Sequence, residues 1–307
     1  LASGYHLYPV NHLCEYALLS HHVSQMDPVR FPPEQYDLTR RDSAGGKVIH
    51  NALTWFLSMA MPDHTMTIIG DSTKARSGME NYVSTAEIGY RYFGIQAVGD
   101  YPHFREGKRT LDGLLHGAPT IIQHESDFTS SNLSSGWVSL RSEWNGNRFW
   151  AGLNALIKGG GHQHADHLSL THYAQGELLS LEKSVPYNEQ NLRELGTQTP
   201  AHNTVTVDFQ SGPQGETLSP EQTPVIAYFH AGPLVQFAEV HGDKLYPQAP
   251  IYRRAVAVLE DIMVDCFRVE GGETHDWIVN HAGPAPVLSM VLAPGAFTPQ
   301  AWIAGGS

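Results

Sequence analysis

The sequence predicts an α+β multidomain chain, with a helical part over residues 1–125 followed by an antiparallel β domain over residues 126–307. Three observations carry that division. Up to about residue 118, apolar residues recur at three- and four-residue spacing. After Pro119 they fall into short runs rich in Val, Ile, Leu and aromatics, separated by turn residues. Between the two regimes lies a polar Ser/Thr/Asn stretch at residues 126–135, suited to a surface linker.

The elements follow in order. Residues 12–23 carry Leu13, Tyr16, Ala17 and Leu19 at helical spacing, and residues 47–61 carry Val48, Ala52, Trp55, Phe56 and Met59. A third helix, residues 79–93, is entered through Ser77-Gly78 and closed by Gly94, which can take the left-handed conformation of a C-cap. A fourth, residues 110–116, stops at Gly117-Ala118-Pro119. Strands are predicted at residues 137–144, 148–157, 168–181, 204–209, 225–229, 234–240, 252–259, 262–269 and 287–292. Turn signals such as Asn145-Gly146-Asn147, Gln175-Gly176-Glu177 and Gly271-Gly272 punctuate them. No fixed-period repeat is present.

Composition narrows the function. With 307 residues and 41% hydrophobic content, the chain can build ordinary cores. A net charge of −12 argues against nonspecific nucleic-acid binding, which needs a basic face to release counterions from phosphate. No apolar run reaches the roughly 18 residues of a membrane-spanning helix. Cys14 and Cys266 read as two reduced, unrelated thiols. The chain starts at Leu1 without a signal-like segment, and both ends read as cut.

The chemistry concentrates in His162-Gln163-His164-Ala165-Asp166-His167, which follows Gly159-Gly160-Gly161. On an extended strand, His162, His164 and Asp166 would share one face at intervals of about 6.6–6.8 Å. Downstream, His202 opens the β-branched alternation Thr204-Val205-Thr206-Val207. Two strands could thus bring imidazoles together, and His-x-His with a carboxylate and a remote His is a set that binds zinc. Because the chain holds 18 histidines, spacing alone leaves a metal or catalytic role evenly balanced against structural histidines.

The order of helices, then Gly-Gly-Gly-His-Gln-His-Ala-Asp, then Ala-His-Asn-Thr-Val-Thr-Val-Asp resembles the heparinase II/III-like polysaccharide lyases, a family that includes heparin, chondroitin and alginate lyases. Gly4-Tyr5-His6-Leu7-Tyr8, Ile69-Gly70-Asp71-Ser72 and Glu273-Thr274-His275-Asp276-Trp277 fit the same pattern. The resemblance implies the C-terminal part of an incomplete (α/α) toroid followed by an antiparallel β-sandwich domain, with much of the toroid lying upstream. It also implies β-elimination on an acidic, uronic-acid-containing polysaccharide: a base removes the C5 proton, the C4–O bond breaks, an acid protonates the leaving oxygen, and a 4,5-unsaturated sugar remains.

By this resemblance Tyr5 is the catalytic acid, with Tyr8 as the alternative if the register is displaced, and His162 is the partner base or a stabiliser of the carboxylate. His164, Glu182 and His202 would hold zinc in a structural or site-organising role, although the family's usual residue at the acidic position is Asp rather than Glu. Asp166 would orient an imidazole from behind. A periplasmic or extracellular location follows from the family alone. Asn203 and Arg253 or Arg254 are further candidates for contact with acidic sugar groups. Two other readings stay open: a zinc hydrolase in which His162, His164 and His202 all ligate, and a noncatalytic carbohydrate-binding β domain.

Overall fold

The computed structural model describes residues 3–72, 83–100, 104, 107–122, 129–156, 162–180, 182, 190–214 and 217–281. Two compact units form. One, helical, comprises Ala2–Thr67 and Ser72–Phe128; the other, rich in strands, comprises Leu1, Ile68–Asp71 and Thr129–Ser307. The short segment Ile68–Asp71 therefore groups with the β unit although it sits in the helical half of the sequence.

In the helical unit, α1 (Ser3–Met26), α2 (Pro33–Tyr36), α3 (Ala44–Met59), α4 (Val83–Phe93) and α5 (Leu111–His116) are the α-helices among the described residues. Thr110 caps α5 by accepting a hydrogen bond from the Gly113 backbone N–H at 2.9 Å. The apolar face of α1 is rotated from the expected one. Val10, Cys14, Ala17 and Leu18 are buried, whereas Leu13, Tyr16 and Leu19 are exposed. Likewise α3 buries Ile49, Leu53 and Met59 and exposes Val48. Both helices carry apolar residues on more than one face, so spacing identifies the helix without selecting the side that packs.

A buried carboxylate braces this unit. Asp37 accepts hydrogen bonds from His21 Nδ1 at 2.8 Å and from the Thr39 backbone N–H at 3.0 Å and hydroxyl at 2.6 Å. Burial alone would raise its pKa, but these hydrogen bonds outweigh it and hold the group below the ordinary carboxylate value. A carboxylate depressed on folding adds stability above its unfolded pKa of about 3.9 and loses it as pH falls through the lower folded value. Thermal melts between pH 6 and pH 3 are expected to show a shallower acid-side loss for Asp37→Asn than for the parent chain. Parallel pH slopes would contradict this.

In the β unit, β1 (Ser131–Leu133), β2 (Trp137–Trp144), β3 (Asn147–Asn154), β4 (Leu170–Ala174) and β5 (Glu177–Leu178) form an antiparallel sheet in that order. A second sheet takes the order β10 (Ile262–Glu270), β9 (Ile251–Leu259), β8 (Gln236–His241) and β7 (Val225–Ala231), again antiparallel. A two-stranded ribbon joins β6 (Val205–Val207) to β11 (His275–Trp277), and a helix, α6 (Gln190–Gly196), lies in the same unit. The β2–β3 hairpin turns at Asn145 and Gly146, with φ of 50° and 76°, the left-handed pair that an Asn-Gly turn supplies. Gln175 and Gly176 turn the β4–β5 hairpin the same way, with φ of 54° and 82°.

One core lies between the sheets. Val138, Leu140, Ala151 and Leu153 from one meet Ala238, Val240, Tyr252, Val256 and Val258 from the other. On the opposite face of β2 and β3, Trp137 and Trp150 stack with ring centroids 6.3 Å apart. Both rings come within 2.7 Å of the point where a Cβ on Gly152 would lie, so this strand position admits only glycine without repacking.

Three expectations need correction. The polar stretch at residues 126–135 contains β1, because its Ser and Asn side chains tolerate a sheet edge while the backbone pairs with β2. The strand expected over residues 168–181 is a hairpin of two short strands. Residues 162–169 are turns and irregular backbone rather than a strand, so His162, His164 and Asp166 do not alternate along one face. His162 and Leu168 have φ of 79° and 58°, which break the extended conformation at both ends of the motif. The strand expected at residues 287–292 lies outside the described residues.

Candidate functional site

The irregular histidine segment is held by groups distant in sequence. His162 Nδ1 lies 2.7 Å from Asp71 Oδ2, and His164 Nε2 lies 2.8 Å from Asp71 Oδ1. The Asp71 backbone N–H donates in turn to the His162 carbonyl at 3.1 Å. Arg193 of α6 stands 3.9 Å from the same carboxylate. A carboxylate only accepts, so each imidazole donates the N–H that faces it. The neutral rings then carry their lone pairs on His162 Nε2 and His164 Nδ1.

The environments of the two rings differ. The His162 side chain is 42% exposed, while that of His164 is 1% exposed. Burial depresses the His164 pKa, and the charges of Asp166 and Asp71 offset this only in part, so the neutral imidazole is favoured. His164 Nδ1 is buried without a hydrogen-bond partner. His167, the third histidine of the segment, is also buried and donates Nε2–H to the Pro213 carbonyl at 3.1 Å, anchoring the loop.

His202 follows a 3-10 turn at Thr199–Ala201 and stands 5.5 Å, centroid to centroid, from His164. Its Nδ1 lies 2.5 Å from Glu182 Oε2. Burial lowers the His202 pKa, but the Glu182 charge and hydrogen bond, with the Asp166 charge, more than offset this and raise it. Glu182 is otherwise engaged by the Ser169 hydroxyl and by Asn203 Nδ2 at 3.4 Å. It is a buried carboxylate, not the exposed strand residue that its neighbour Lys183 would suggest.

His164, Glu182 and His202 thus gather in one place. Two imidazoles and a carboxylate fit zinc as donors, and the unpartnered His164 Nδ1 is a lone pair of the kind a metal takes. Among the described residues, no group of three or more His, Cys, Asp or Glu closes into a coordination sphere, because the Glu182 carboxylate is turned onto His202 and Ser169.

Other candidates fall elsewhere. Tyr5 belongs to α1, and its side chain lies outside the described residues. Tyr8 is exposed and packs edge-on against His12 at 4.9 Å. Arg254 is not a surface group. It is 2% exposed, forks onto Asp265 at 2.9 and 2.6 Å, and donates Nη1–H to the carbonyls of Leu168 and Asn203, both at 2.6 Å. Arg253 pairs with Asp243 at 2.6 Å. Asn203 is buried and accepts from the Asn280 backbone N–H at 2.6 Å, a structural role. Asp166 acts on His164 and His202 through its charge; the carboxylate that receives the His164 N–H is Asp71. Only the Gly-Asp-Ser turn signal marked Asp71 in the sequence, and nothing in it indicated two histidine partners.

Residues 130–260 match the family model described as heparinase II/III-like, C-terminal. No curated protein sequence matches the chain. Among solved structures, the heparan sulfate lyase HepC from Pedobacter heparinus is similar at 18% identity and a TM-score of 0.65, over 88% of this chain and 38% of that one. A heparinase III gene product gives 19% identity and a TM-score of 0.64 over 88% and 38%. A further heparinase III gives 11% identity and a TM-score of 0.59 over 90% and 41%. The chain spans about two fifths of the length of these structures, and at such identities the likeness is one of fold. The antiparallel sheets, the paired histidine segments and the family match together make residues 130–260 similar to the C-terminal domain of the heparinase II/III-like family.

Proposed function

We propose that this chain is part of a polysaccharide lyase that cleaves a uronic-acid-containing polysaccharide by β-elimination. One observation carries the reading: inside a heparinase II/III-like domain, His162 is a half-exposed imidazole whose Nδ1 is engaged by Asp71, which puts the lone pair of the neutral ring on Nε2. His162 is the base in this reading. Tyr5 is the acid that protonates the leaving oxygen, a task suited to a phenol with an ordinary pKa of about 10. The relatives named as heparan sulfate lyases favour a glycosaminoglycan such as heparan sulfate, with chondroitin, hyaluronan and alginate as the other members of the substrate class. A polymeric substrate of this kind fits a periplasmic or extracellular setting.

Zinc, held by His164, Glu182 and His202, would supply fixed positive charge that ties the two histidine segments together. The residues themselves do the remaining work. Asp71 and Glu182 direct the imidazole protons, and Arg254 holds the backbone beside both segments. The zinc-hydrolase alternative would use His162 as a third histidine ligand through Nε2, and the products of the reaction distinguish it.

A screen of heparin, heparan sulfate, chondroitin sulfate, hyaluronan and alginate, read by ultraviolet absorption of the unsaturated product, tests this. Turnover is expected on at least one, and Tyr5→Phe is expected to lower it by at least about 100-fold while metal content stays unchanged. Full activity in Tyr5→Phe removes Tyr5 as the acid. Incorporation of solvent oxygen into product would indicate hydrolysis, and saccharide binding without turnover would indicate a binding domain.

A further inference from the structure

We infer that Asp71 is the positioning residue of the site: its one carboxylate sets which nitrogen of His162 and which nitrogen of His164 bears the proton. This rests on the lyase reading for its catalytic meaning, but the geometry stands by itself. The two oxygens of Asp71 are divided between two different rings, Oδ2 to His162 Nδ1 at 2.7 Å and Oδ1 to His164 Nε2 at 2.8 Å. Opposite nitrogens are therefore engaged, so one group imposes opposite tautomers on two histidines only two residues apart.

Each tautomer suits a different task. With Nδ1–H held by Asp71, the lone pair of a neutral His162 falls on Nε2, in a ring that is 42% exposed; this is the tautomer of a proton acceptor through Nε2. With Nε2–H held, His164 keeps the Nδ1 lone pair inside the protein, where it has no hydrogen-bond partner. Swapping the tautomers would aim the lone pair of each ring at a carboxylate, a repulsive contact, so the assignment follows from electrostatics.

The Asp71 side chain is 3% exposed, so water does not compete for its oxygens. Its backbone is fixed as well, since the Asp71 N–H donates to the His162 carbonyl at 3.1 Å while the His162 ring returns the bond. This reciprocal pair also holds His162 at φ 79°, a conformation that costs a non-glycine residue energy and requires external contacts to persist. Asp71 thereby sets both the proton and the backbone position of the proposed base.

Long-range proton–nitrogen NMR correlation of the histidine rings in the whole chain reads the tautomers directly, without substrate or added metal. In the parent chain His162 is expected as the Nδ1–H form and His164 as the Nε2–H form. In Asp71→Asn at least one ring should become a mixture, and kcat should fall about 10- to 1,000-fold with KM changed less than about threefold. Asp71→Glu, which keeps the charge but displaces it by one methylene, should recover part of kcat. An Nε2–H form for His162 in the parent chain would overturn the inference, and so would unchanged tautomers in Asp71→Asn. Because the parent measurement needs no variant, a failure of Asp71→Asn to fold leaves the decision intact. The expected tautomers in a chain that releases no unsaturated product would refute the lyase reading alone.

Discussion

Replacing Arg254 with Met is expected to destabilise the β unit by about 3–5 kcal/mol, the usual cost of removing one member of a buried ion pair. The guanidinium is 2% exposed and satisfies four acceptors: both oxygens of Asp265 and the carbonyls of Leu168 and Asn203. Methionine fills much of the same volume, so the loss is electrostatic rather than a cavity. It leaves a largely buried carboxylate and two carbonyls without their donor. Arg254→Lys retains the charge but cannot reproduce the fork, and should fall between the two. The double change Arg254→Met with Asp265→Leu removes the stranded charge and should regain much of the stability. Urea unfolding at neutral pH checks the series. A change below about 1 kcal/mol for Arg254→Met would show that the clamp is not needed.

A comparable loss is expected from His202→Ala, for a different reason. The substitution removes the partner of Glu182 Oε2, and among the described residues the carboxylate side chain, 7% exposed, keeps Ser169 and Asn203. An uncompensated buried charge again costs about 3–5 kcal/mol. If zinc occupies the site, the same change also removes a ligand, so metal content should fall to near zero. His162→Ala gives the contrast. That ring is half exposed, so stability should change by under about 1.5 kcal/mol and bound metal should persist, whereas turnover should drop about 100- to 10,000-fold. Metal analysis alongside urea unfolding separates the two histidines. Equal losses of stability in both variants would contradict their assignment to different tasks.

Local patterns explain why much of the β unit was legible. Strand β2 has the bounds that its alternating and aromatic residues predict, and the Asn145-Gly146 signal locates its hairpin. Polar strands were less visible. Ser131–Leu133 reads as linker because its Ser and Asn side chains show no apolar alternation, and its strand character comes from hairpin pairing with β2. His275–Trp277 is a strand because β6 lies beside it, about 70 residues away in sequence. The His-x-His-x-Asp spacing suggested a strand since period two is all that five residues can display. The chain there bends instead, because Asp71 and the Asn154 and Thr197 carbonyls capture its donors.

Residue types and their order by themselves determined a helical part followed by antiparallel sheets, the hairpin turns and the two histidine segments that carry His162, His164 and His202. Those properties depend on side-chain chemistry and on neighbours within a few positions, which a linear string records. Only the tertiary structure decided which carboxylate meets which imidazole: Asp71 with His162 and His164 across more than 90 residues, and Glu182 with His202. It also made Arg254, a candidate for sugar contact in the sequence, a buried clamp. Pairings of this kind arise when distant segments are packed together and water is excluded, so their strength and direction come from burial and geometry that no local spacing encodes.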